Sequence, residues 1–242
     1  MQEAYTESVL KLINEIHDDE LNNIKKAAEI IFKSMIKGGL LHVFATGHSH
    51  MMAEEMFYRA GGLVPVDPIL EPFLMQHEGA FRSTKFERVP GISKVIYDSL
   101  DLKDGEPFLI VSNSGINAVP IEMAEIARKN NHPVIVVTSV KVSSESKSRV
   151  ENGHHLYDEA DVVIDNHVPY GDGVIKKDFG LTGAVSTVGC SYIAQLLVLS
   201  IIECYEKAGV TPPVYKSANT PGGDKHNEEL IEDAKKRIKC LY

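Results

Sequence analysis

Two short polar runs hold most of the chemistry this chain can do. One reads Thr46-Gly47-His48-Ser49-His50 and the other Ser112-Asn113-Ser114-Gly115-Ile116-Asn117. Each follows an apolar stretch, Leu40 to Ala45 and Phe108 to Val111, that reads as a buried parallel strand. Each also precedes a helical pattern. At such a turn, free backbone N–H groups and the positive end of the helix dipole form a seat for an anion. Ser49, Ser112 and Ser114 can add hydroxyl hydrogen bonds, Asn113 and Asn117 can add amides, and Gly47 and Gly115 let the backbone approach a ligand closely. A phosphate is the natural occupant. One such turn reads equally well as a simple helix cap. Two of them in one α/β domain fall together at the carboxyl edge of the sheet, where these folds bind ligands.

Groups able to move protons lie nearby in sequence. His48 and His50 flank Ser49 and have ordinary pKa values near neutrality, which suits acid, base or metal-ligand roles. A metal would need further ligands, such as His77 or His167, and no spacing demands one. Neither a metal nor a cofactor is therefore assigned. Glu55 follows Ser49 by about one and a half helical turns. The stretch Pro68 to Pro90 is long, carries Glu71, His77, Glu78, Arg82, Glu87 and Arg88, and has Gly79-Ala80 as a joint. It reads as a lid or a neighbouring-subunit loop that brings His77 or Glu78 to a ligand. Glu55, His77 and Glu78 are the candidate catalytic groups. Thr138-Ser139 ends another strand, where its hydroxyls can cap the following turn.

The elements that position these residues alternate along the chain as in a parallel sheet. Strands are predicted near 40–45, 63–67, 108–112, 133–138 and 161–165, and helices near 50–60, 92–100, 118–130 and 185–207. A second long loop, 166–183, contains Gly171-Asp172-Gly173. Before the sheet, Leu21, Ile24, Ala28, Ile31 and Met35 form an apolar stripe, and Val9, Leu12 and Ile16 form another. The phase slips at Asp18-Asp19-Glu20, which predicts a bend or two helices. A last helix near 225–239 has Asp224 as its expected N-cap. The organisation is thus a helical arm over 1–37, an α/β domain over 38–209 and a C-terminal extension over 210–242.

Composition narrows the function. The net charge is −9 and argues against a nucleic-acid surface. A hydrophobic fraction of 43% is enough for a full core. The most apolar helix, Val185 to Cys204, is interrupted by Ser186, Ser191, Gln195 and Ser200, so it reads as a buried central helix and not a membrane span. Three scattered cysteines lack metal-type spacing and suit reduced thiols in a cytoplasm.

The run Ser112-x-Ser114-Gly115 after a strand resembles the signature of the sugar isomerase (SIS) domain family, Ser-x-Ser-Gly-x-Thr, with Asn117 in the place of the threonine. Ser49 matches the family's first-loop serine, and the resemblance implies that Thr138-Ser139, at the end of the strand after the signature helix, lines the ligand pocket. The resemblance spans roughly residues 38–209. It implies a flavodoxin-like fold with a five-stranded parallel sheet flanked by helices, and a phosphorylated sugar or amino sugar as ligand. It also implies a homodimer or larger homo-oligomer. In family members such as phosphoheptose isomerase and N-acetylmuramic acid 6-phosphate etherase, a catalytic glutamate follows the first-loop serine by ten positions. Here that position is Arg59, and no histidine occurs on the last core helix. An aldose–ketose phosphosugar isomerase and a non-catalytic phosphosugar sensor are both compatible with this pattern.

Overall fold

A computed structural model describes residues 1–242. Its centre is a five-stranded sheet, β1 (Leu41–Ala45), β2 (Val66–Ile69), β3 (Phe108–Val111), β4 (Val134–Thr138) and β5 (Val162–Asp165), in the order β2-β1-β3-β4-β5. Every neighbouring pair is parallel. Strands β1 to β4 are buried along their whole length, as their near-continuous Val, Ile, Leu and Phe content requires once helices cover both faces. Pro68 lies in β2, an edge strand, where a missing N–H is tolerated. The sequence places this strand at 63–67, a few residues early. Residues 61–64 instead meet the returning C-terminal segment: Leu63 bridges Val214, and Gly61 and Tyr215 also pair by backbone hydrogen bonds.

On one face, helix α1 (Gln2–Met35) lies along α7 (Ser186–Lys207) and shares with it the larger of two apolar clusters. On the other, α5 (Ala118–Lys129) and α4 (Ile92–Tyr97) close a smaller cluster around Phe44, Phe108 and Ile110. The arm is not divided into two helices; α1 is one continuous helix of 34 residues. Its buried stripe runs Leu12, Ile16, Glu20, Ile24, Ala28, Ile31, Met35, so Glu20 occupies a core position in phase with its neighbours. Glu20 is accommodated there by a hydrogen bond from Asn23, at 2.9 Å, and by His167 at 3.8 Å. A carboxylate inside an apolar stripe imitates a phase slip when only residue types are visible.

Short elements complete the fold: α2 (His50–Met56), α3 (Ala80–Phe86), α6 (Val140–Ser144), the hairpin β6 (Gly173–Lys177) and β7 (Gly180–Ala184), and α8 (Gly223–Ala234). Helix α2 ends earlier than the sequence suggests, because Phe57 is extended and Tyr58 takes a positive φ. The N-cap of α8 is Gly222 in a left-handed conformation, and Asp224 lies inside the first turn, where its charge still favours the helix dipole. By length and composition alone α7 is apolar enough to cross a membrane, but its burial agrees with the sequence reading of a buried central helix. In this fold its Ile193, Leu197, Val198 and Ile201 are buried as the spine of the main cluster.

The amino edge of the sheet carries a buried charge network. His42 lies between Asp67, at 2.8 Å from Nδ1, and Glu106, at 3.1 Å from Nε2. Arg237, just after α8, donates to both oxygens of Glu106 at 2.6 and 2.7 Å, and the N–H groups of Leu40 and Lys103 donate to the same carboxylate. Burial alone would push the Glu106 carboxyl up, but these donors hold it well below the carboxylate range. Burial likewise works against His42 protonation, yet its hydrogen bonds to Asp67 and Glu106 prevail and raise it above 6.5. A base with a raised folded pKa adds stability that is full below its unfolded value and is lost as pH rises through the folded value. The stability difference between wild type and His42→Gln, followed by urea denaturation, is therefore expected to be largest below pH 6.5 and to shrink as pH rises. Arg237→Met strands a buried carboxylate and is expected to cost about 3 kcal/mol by the same assay.

Candidate functional site

The sheet reverses its winding between β1 and β3. From β1 the chain moves outward to β2, and from β3 it moves the other way through β4 to β5. Ala45 and Val111 are register partners at the carboxyl ends of these two strands. The next residues, Thr46 and Ser112, begin the two polar runs, so the topology brings both runs side by side over the crevice where doubly wound sheets bind ligands.

The second run is shaped from behind. Gly115 has φ +61, and its N–H donates to Ser112 Oγ at 3.2 Å, closing a tight turn. A Cβ at this glycine would fall 2.7 Å from Ser143 Oγ and 2.8 Å from Thr138 Oγ1. Thr138 and Ser139 are buried behind the loop and do not line it. Thr138 Oγ1 and the Ser139 N–H both donate to the Asn113 carbonyl, and Ser139 Oγ donates to Val168. Their burial speaks against the expectation that the pair lines the pocket: the Thr138 hydroxyl holds the loop, while Ser139 Oγ is taken up by Val168 and by the Val142 N–H, which it caps at the start of α6. Ser114 is half-buried at the turn, and Asn113 accepts from Asn166 at 3.0 Å. A narrow cleft joins His48, Ser49 and Asn113 to Ser186, Thr187 and Cys190 at the start of α7. Burial pushes the Cys190 thiol up to about 11, so it is a neutral wall of this cleft.

Helix α7 does not offer its N-terminus to a ligand. Asp172 already occupies that place, accepting from the Val185 and Ser186 N–H groups at 3.0 and 2.8 Å and from Ser186 Oγ at 2.7 Å. The Gly171-Asp172-Gly173 turn is therefore the anchored base of the β6–β7 hairpin.

In the first run, His48 is exposed, Ser49 is half-buried and His50 is 2% exposed. The His50 ring meets the Gly47 carbonyl through Nδ1 at 3.1 Å, while Nε2 is buried without a partner. Burial pushes His50 down to about 4, with His77 adding to the effect against the pull of the Gly47 carbonyl. His50 is thus a neutral imidazole at neutral pH, with a lone pair on Nε2 when Nδ1 carries the proton. His167 does not join these histidines; it faces Asp19 and Glu20 of α1. Elsewhere, Glu125, His154 and Glu159 bring ligand atoms within 4.8 Å of one another. Asn152 donates to Glu125 and Arg128 approaches Glu159 at 3.6 Å, so protein donors already serve those carboxylates.

The segment after β2 folds back over the first run. Gln76 approaches Gly47, and His77 lies near enough to influence His50. His77 and Glu78 themselves are exposed, at 3.9 Å from each other. Glu55 is held on α2, where it meets Arg59 at 2.5 Å and accepts from Gln195 of α7 at 2.8 Å. The residue that this segment places over the crevice is Glu87. Its Oε2 accepts from Thr46 Oγ1 at 2.9 Å, its carbonyl accepts from the Val119 N–H at 3.1 Å, and the Asn117 side chain lies beside its carboxylate. Arg149 donates to Asn117 Oδ1. Burial raises the Glu87 pKa against the Thr46 hydrogen bond, the charges of Arg88 and Arg149 and the nearby Asn117 amide. Sequence reading lists Glu87 among many polar residues but has no signal to single it out, because its neighbours come from three separate segments. The larger hollows, of about 670 and 380 Å³, lie away from both runs and share no residue with them.

Residues 4–139 match the SIS domain. The chain belongs to the SIS domain family. A UPF0309 protein of Caldanaerobacter subterraneus is 42% identical over the whole of both chains, and one of Listeria innocua is 39% identical over 98% of this chain and 97% of the other. The fold also matches a phosphoheptose isomerase from Francisella tularensis, with TM-score 0.57, 16% identity, and coverage of 83% of this chain and 96% of that one. The Vibrio vulnificus NanR protein complexed with ManNAc-6P matches with TM-score 0.50 and 13% identity, covering 99% of this chain and 69% of that one.

The geometry of Gly115 gives a direct test. Gly115→Ala adds both a strained φ and a clash with two hydroxyls, and is expected to lower stability by about 2 kcal/mol in urea denaturation. Gly105→Ala, at a positive φ with open space around it, is expected to cost less.

Proposed function

We propose that this protein binds a phosphorylated sugar or amino sugar at the β1–β3 crevice and catalyses aldose–ketose isomerisation or a closely related proton-transfer reaction on it. The observation that carries this reading is the side-by-side placement of two hydroxyl-bearing strand-to-helix turns at the point where the sheet reverses. Ser49, Ser112 and Ser114, with backbone N–H groups beside Gly47 and Asn113, would hold the phosphate. His48 lies beside them, free to meet a sugar hydroxyl. The segment carrying His77 and Glu78 would close over the sugar, and Arg149 would add positive charge at the entrance. Asn117 differs from these groups because its Oδ1 already accepts from Arg149. The matched fold of a phosphoheptose isomerase and that of a protein complexed with ManNAc-6P support the ligand class. We further propose a cytoplasmic homodimer or larger homo-oligomer, which light scattering would size.

One observation favours the sensor reading. Arg59 stands where catalytic relatives place a glutamate, and it is paired with Glu55. A sensor needs tight binding without turnover.

A panel of hexose, hexosamine and heptose phosphates should raise the thermal midpoint of the wild type for at least one member. Replacing Ser112 and Ser114 together by alanine is expected to abolish that shift. A shift of unchanged size would place the phosphate elsewhere. Loss of the C2 proton signal in D₂O separates an isomerase, which exchanges it, from a sensor, which does not.

A further inference from the structure

We propose that Glu87 is the group that takes and returns the proton in this site. The inference rests on the isomerase reading above and names the residue that replaces the missing first-helix glutamate. Three observations converge on it.

The first is position. Glu87 is fastened by its side chain to Thr46, the first residue after β1, and by its backbone to Val119 in the first turn of α5, with Asn117 beside it. It therefore spans the two runs at the reversal of the sheet. Glu55 faces α7 with both oxygens engaged, and His77 and Glu78 are exposed on the outer part of the covering segment.

The second is the character of its partners. Thr46 supplies a neutral hydroxyl and Asn117 a neutral amide, so neither neutralises the carboxylate. No side-chain nitrogen of Arg88 or Arg149 lies within ion-pair distance of it, and Arg149 is turned to Asn117 Oδ1. A fixed, half-buried carboxylate without an ion-pair partner keeps its basicity, and neutral donors set its orientation. Thr46 orients the carboxylate by a direct hydrogen bond, and Arg149 fixes the neighbouring Asn117.

The third is how the residue arrives. Nothing in the local helix chemistry requires an acid here; Glu87 follows the end of α3, and its backbone carbonyl is pinned by the Val119 N–H. The long segment after β2 thus delivers one acid to the crevice and locks its backbone in place.

In the open-chain sugar phosphate, a Glu87 carboxylate oxygen takes the C2 proton. The C2–H electron pair forms the C1–C2 double bond, the C1 carbonyl pair moves to O1, and O1 takes a proton from water. The enediol then loses its O2 proton to water, C2=O forms, and the double-bond pair accepts the Glu87 proton at C1. Aldose becomes ketose, and the carboxylate is regenerated.

The experiment compares wild type, Glu87→Gln and Glu87→Asp for C2 proton exchange in D₂O and for thermal stabilisation by the same sugar phosphate. Glu87→Gln is expected to lower kcat about 1000-fold, with KM and ligand-induced stabilisation largely kept. Glu87→Asp, which keeps the acid but shortens its reach, should recover part of the rate. It also serves as the decisive variant if the glutamine form does not fold, with an exchange rate at the wild-type level counting against the proposal. Full exchange in a folded Glu87→Gln overturns the assignment and leaves the isomerase reading standing. Binding without exchange in the wild type overturns both Glu87 and the isomerase, leaving a sensor. No stabilisation by any sugar phosphate overturns the phosphosugar reading itself.

Discussion

A parallel sheet that winds outward in both directions from β1 and β3 must leave a gap between the loops at the carboxyl ends of those two strands, because their connections depart to opposite sides. The remaining features of the site follow from that gap. Thr46 and Ser112 are neighbours because Ala45 and Val111 are register partners. Neither loop has to reach toward the other. The Thr138 hydroxyl and the Ser139 N–H, one strand further along, can then be used as buried supports for the loop in front of them.

The opposite edge of the sheet has a different task. It must satisfy buried charge with no ligand to help. Glu106 sits under the start of β1 and β3, takes donors from two backbone N–H groups and from Arg237, and shares His42 with Asp67. Arg237 comes from the end of the chain, so the extension is tied to the sheet by a charged, buried contact as well as by the backbone pairing near Val214. Fastening both ends of the chain to the scaffold leaves the carboxyl-edge loops as the parts free to respond to a ligand. Such division of labour is common in α/β folds, where rigid strands position functional loops.

The covering segment shows how proximity in sequence can mislead. His77 and Glu78 sit beside a glycine joint in a long loop and attract attention as movable groups. In the fold they form a short exposed turn, and Glu87, from the far end of the same loop, reaches the crevice. Likewise Glu55 shares a helix with Ser49 but points to α7, where Arg59 and Gln195 hold it. Asp172, which reads as part of a plain turn, fills the N-terminus of α7 and removes one apparent anion seat.

The sequence by itself determined the sheet, its flanking helices and the two polar runs, because buried strands need continuous apolar residues and turns need hydroxyls and glycine within a few positions. Those are local rules, and the residues that obey them are adjacent. The continuity of α1 was hidden because Glu20 looks polar until His167 and Asn23 stand beside it. The shift of β2 depended on Leu63 meeting Val214 from the other end of the chain. Only the tertiary structure decided which acid stands at the crevice, which hydroxyls face it and which merely support it. Those outcomes are set by contacts between segments tens of residues apart, and residue types along the chain do not encode such distances in any local pattern.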